Sequence, residues 1–96
     1  MTVHSSGEPI ETVLARLRAA QPLETDPAQQ AVLRHETGVL EETRGEEGAA
    51  VQEQLGAFEA YPEFREPLEA LVRLCRRQPS HAELQRLLET LVEVAT

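Results

Sequence analysis

Three histidines, one thiol and seventeen carboxylates are the side chains of this 96-residue chain from which chemistry would be built. His4, His35 and His81 are the imidazoles. None belongs to an H-E-x-x-H or Glu-x-x-His pattern, and a single Cys excludes C-x-x-C. His35 and Glu36 are adjacent, so on a helix they point about 100° apart and do not chelate together. Each histidine reads as a surface or boundary residue. Cys75 follows Leu71 and Val72 at helical spacing, which turns it into a core as a small hydrophobe. Arg76 and Arg77 would activate it only if it were exposed. Ser5, Ser6 and Ser80 have no base within local reach. The five glycines lie at 7, 38, 45, 48 and 56, without a phosphate-loop fingerprint. These residues imply no catalytic site, no metal and no cofactor.

A cationic cluster is the remaining candidate. Arg73, Arg76 and Arg77 share one side of a predicted helix, and Arg65 extends the group. Such a cluster recognises a carboxylate-rich partner or a phosphate, or else pairs within the chain with Glu69 and other acids. Phe58, Tyr61 and Phe64 are the only aromatics, gathered around one turn. Together Arg73, Arg76, Arg77, Phe58, Tyr61 and Phe64 form the expected partner-binding set.

The elements that must position these groups are all helices. No segment combines β-branched residues with period-two alternation. Helix one is expected from Pro9 to Ala20, with Ile10, Val13, Leu14 and Leu17 as its buried stripe. Gln21-Pro22 ends it. Helix two starts at Asp26, with Pro27 in the first turn and Gln29 completing a capping box. Its apolar arc is Ala28, Ala31, Val32, Leu33, Val39 and Leu40, with Glu36 inside it. Gly38 weakens that helix by about 1 kcal/mol relative to Ala.

Residues 41–50 are acidic and contain Gly45 and Gly48. They read as a break at Gly45, or as part of one helix from Pro27 to Ala60 that tolerates its glycines; the break is favoured. Val51, Leu55 and Phe58 make the next stripe. Pro62 and Pro67 punctuate a turn that opens helix four, with Leu68, Leu71, Val72, Leu74 and Cys75 inward. Gln78-Pro79 closes that helix. Ser80 and Glu83 cap helix five, whose stripe is Leu84, Leu87, Leu88, Leu91, Val92 and Ala95.

The expected fold is therefore all-α: one domain over 1–96, a small bundle of four to five helices with a C-terminal antiparallel helical hairpin. Residues 1–7 are expected to be disordered. The segments 13–22 and 70–79 share Leu, Arg, Leu, Gln and Pro at an offset of 57. That match suggests hairpins one–two and four–five with an acidic helix between, or coincidence in a common way of stopping a helix. The terminal helix–Gln-Pro–helix unit is similar in outline to helical adaptor modules of the death-fold type; it carries no diagnostic motif and assigns no family.

Net charge is −8, and all nine basic residues are Arg. Ten acids and two Arg fall within 24–63, whereas 64–88 holds five Arg and three Glu. An acidic chain repels nucleic acid and anionic membranes, so neither is an expected partner. No apolar run approaches the ~18 residues of a membrane span. The N-terminal residues lack the pattern of a signal peptide, so the expected location is the cytoplasm. The Arg and Ala bias fits a GC-rich bacterial genome.

These features favour a non-catalytic interaction or accessory module that binds another protein, itself as a homodimer, or both. It would act through an exposed apolar helix face and charged helix surfaces. Helix two, flawed by Glu36 and Gly38, is the element such packing would stabilise. The competing reading is a small-ligand or metal-binding helical protein, or a non-catalytic subunit of an enzyme complex. It requires His35, Glu36 and Cys75 to converge beside a cavity. A regulator of transcription or secretion machinery acting by protein contact is a third reading.

Overall fold

The computed structural model describes residues 8–77, together with Arg86, Glu89 and Glu93. Among the described residues the chain is all-helical. The helices are α1 (Ile10–Ala20), α2 (Pro27–Thr43), α3 (Glu47–Ala60) and α4 (Glu66–Arg77), with a short 3-10 turn at Gln21–Leu23. Of the predicted helix five, only those three isolated residues are described, and all are helical and exposed. The C-terminal hairpin, the second copy of the Gln-Pro stop and the expectation for residues 1–7 lie outside the described residues.

Local chemistry sets the boundaries. Pro9 precedes α1 as an extended N-cap rather than opening the helix. Asp26 caps α2, its Oδ1 accepting from the Ala28 N–H at 3.3 Å. The reciprocal half of the expected capping box is absent. Glu24, not Gln29, accepts the Asp26 N–H, at 3.2 Å. The extended backbone at Asp26 brings Glu24 back within reach, while Gln29 stays exposed.

The break at Gly45 is present. Gly45 has φ of 84°, the left-handed conformation that glycine adopts without steric cost. The Gly45 N–H donates to the Glu42 carbonyl at 3.0 Å, and the Glu46 N–H to that of Glu41 at 2.9 Å. This is a Schellman closure. It returns the chain so sharply that α2 and α3 become antiparallel neighbours. Helix three is therefore no spacer between two hairpins; α2–α3 is the central pair.

The two sides of α3 differ in chemistry. Towards α4 lies an apolar core of Ala50, Val51, Leu68, Leu71, Leu74 and Cys75, with Leu55 and Phe58 packed against it. Towards α2 the interior is polar. Thr37, Glu41 and Gln54 are each at most 1% exposed. Leu14 is the only α1 residue that is fully buried. The expected stripe partners Ile10, Val13 and Leu17 are half-buried.

The polar interior corrects the expected arc of α2. Its buried residues are Ala31, Thr37, Gly38 and Glu41. Val32, Glu36 and Val39 face away, and Leu33 and Leu40 are half-buried. Periodicity shows which residues of a helix are apolar; it does not show which face the neighbouring helix offers to meet. Here α3 offers Gln54, and α2 answers with Gly38 and the His35 backbone.

Candidate functional site

The polar seam is the most elaborate arrangement of side chains among the described residues. The Gln54 amide sits between two groups of one residue. Its Nε2 donates to the His35 carbonyl at 3.2 Å, and its Oε1 lies 2.8 Å from His35 Nδ1. The first bond orients the amide, so its oxygen faces the ring and Nδ1 carries the proton. The ring also meets Phe64 edge-on, with centroids 5.3 Å apart at 83°. His35 thus ties α2 to α3 and to the turn before α4.

A second node binds α1. Gln21, on the 3-10 turn, donates through Nε2 to Thr37 Oγ1 at 3.0 Å and to Glu53 Oε1 at 3.4 Å. Thr37 Oγ1 donates to the Leu33 carbonyl at 2.8 Å. Buried Glu41 pairs with Arg18 of α1 and with Arg44, the latter at 3.3 Å. The Arg18–Glu41 pair joins buried Leu14 in holding α1 to the fold. These contacts are structural: every polar end turned inward by Gln21, Thr37 and Gln54 is answered by a protein group.

The expected ligand constellation does not form. Cys75 is buried in the apolar core, and burial pushes its thiol pKa up, away from reactivity. Glu36 is exposed on the far side of α2 from the seam. Neither of the two hollows described is lined by His35, Glu36 or Cys75. The larger, of about 440 Å³, is a wide-mouthed groove over Leu55 and Gly56, rimmed by Gln30, Arg34, Gln52 and Glu59. Among the described residues no group of three His, Cys, Asp or Glu side chains could hold a metal ion. A native thiol-labelling experiment is expected to show Cys75 reacting only as fast as the protein opens. Cys75→Ala should cost about 1–2 kcal/mol in denaturant unfolding through lost packing. Rapid labelling of the folded protein would contradict this placement.

Of the expected partner-binding residues, Arg73 and Arg77 pair within the chain. Arg73 Nη2 donates to Glu42 Oε1 at 2.8 Å. Arg77 Nη2 donates to Glu42 Oε2 at 2.8 Å and to Glu47 Oε2 at 3.0 Å. Intrachain pairing is thus the outcome, with Glu42 and Glu47 in place of the expected Glu69. Arg76 is exposed and forms no ion pair among the described residues. Phe58 packs against the core, and Phe64 is half-buried on His35. Tyr61 is exposed, and hydrogen bonding with the neighbouring Glu63 carboxylate, followed by its charge, pushes the phenol pKa up.

Glu42 carries a pH consequence. The hydrogen bond from Arg73 is the main force holding its carboxyl below the ordinary carboxylate range; burial opposes it and Arg77 adds to it. A lowered folded pKa stabilises the protein fully above the unfolded value. That contribution is lost as pH falls through the folded value. Stability to urea is therefore expected to decline on acidification below about pH 4.3. The decline should be shallower in Glu42→Gln. Equal acid slopes in the two proteins would show that the Arg73–Glu42–Arg77 contact is not linked to folding.

What sequence reasoning missed lies on the outer face of α2. Val32 and Val39 are 37% and 38% exposed, on the same side as exposed Glu36. Leu33 and Leu40 flank them, half-buried. The signal was present as the apolar arc with Glu36 inside it, but it reads as a core stripe until the position of α3 is known.

The chain matches no family model, no curated protein and no solved structure. No helix among the described residues is long and apolar enough to cross a membrane.

Proposed function

We propose that this chain is a non-catalytic protein-interaction module and that it docks a partner on the outer arc of α2. One observation carries the reading. α2 directs Thr37, Gly38 and Glu41 inward and the valines of its apolar arc outward. An isolated exposed apolar residue needs no explanation. A helix that buries Thr37 and Glu41 while leaving Val32 and Val39 more than a third exposed does, because the reverse placement is the one hydrophobic burial favours. Val32, Leu33, Glu36, Val39 and Leu40 span about 120° of the helix, enough to seat one further helix.

Two absences of opportunity support the same reading. The sole thiol is sealed in the core, and His35 is held by Gln54 and Phe64.

Val32→Asp and Val39→Asp test the proposal. Each is expected to leave unfolding free energy within about 0.5 kcal/mol, since surface changes away from caps and networks have small effects. A photo-crosslinking residue at position 32 or 39, used in the native host, should yield an adduct with a discrete protein. The same residue at Arg16 should not. Equal yields at 32, 39 and 16 would remove the docking role of α2. A large loss of stability in the Asp variants would instead mean that the arc belongs to the protein's own core.

A further inference from the structure

We draw no further inference here: the strongest candidate, the wide-mouthed groove between α2 and α3 over Leu55 and Gly56, carries none, because Gln30 Oε1, the buried polar atom of its rim that has no hydrogen-bond partner, is shielded from an occupant, and nothing in the structure shows what fills the groove.

Discussion

Gly38→Ala is expected to destabilise the protein by about 2 kcal/mol, although alanine is the better helix former by about 1 kcal/mol. A Cβ on Gly38 would stand 2.6 Å from Nε2, 2.9 Å from Cδ and 3.1 Å from Cγ of Gln54. Gln54 cannot yield. It is 0% exposed, and both ends of its amide are bound to His35. Moving it breaks two buried hydrogen bonds and leaves polar atoms of His35 and Gln54 unanswered. For a domain of this size the thermal midpoint should fall by about 8–16 °C.

Gly56→Ala provides the contrast. There the new Cβ meets the Arg34 guanidinium at 2.5 Å, but Arg34 has a side chain 36% exposed and a single ion pair, at 3.6 Å. It swings into solvent, so the expected change is within about 0.5 kcal/mol. A double-mutant cycle of Gly38→Ala with Gln54→Ala should show coupling above about 1 kcal/mol. If Gly38→Ala costs as much without the Gln54 side chain as with it, the close approach is not the cause.

The larger effect is expected from the double variant Arg18→Ala, Arg44→Ala, which strands the Glu41 carboxylate. The Glu41 side chain is 2% exposed, and these two arginines are the cations that reach it. Their own side chains remain 48% and 30% exposed, so the buried partner bears nearly all of the desolvation. Breaking a buried ion pair by removing one side costs about 3–5 kcal/mol. Each single variant leaves Glu41 one cation and should lose much less. Adding Glu41→Leu to the double variant should recover most of the loss, because an apolar side chain needs no counter-charge. Urea unfolding at constant m-value distinguishes the four variants from one another and from wild type. A double variant that loses under about 1 kcal/mol would mean that Glu41 does not depend on its cations.

Parts of this architecture are legible one residue at a time. Gly45 between two acidic helices reads as a stop because only glycine adopts the left-handed turn freely, and the stop is there. Asp26-Pro27 reads as a helix start from the geometry of its own backbone. Cys75 reads as buried because Leu71 and Val72 fix its angular position on α4. Each inference needs only contacts within about four residues.

The remainder needs partners distant in the chain. Arg73 and Arg77 look like a free cationic patch until Glu42, 31 and 35 residues away, is placed beside them. Gln54, Thr37 and Glu41 look like solvated polar residues until three helices close over them. His35 finds its amide 19 residues away. Gly38 looks like a weakness of α2 until Gln54 fills the space it leaves.

What the sequence by itself determined, among the described residues, is the set of helices, their boundaries to within a residue or so, and most of the stripe of α4. Helix propensity, capping and periodicity are local, and the local chain carries them in full. What only the tertiary structure decided is orientation. α2 bears apolar residues on one side and small or polar residues on the other, and the hydrophobic effect alone would bury the first. The seam with α3 reverses that choice, because Gly38 and Ala31 admit a neighbour that buried hydrogen bonds then hold in place. The valines on the outside are the consequence, and with them the surface on which the proposed function rests.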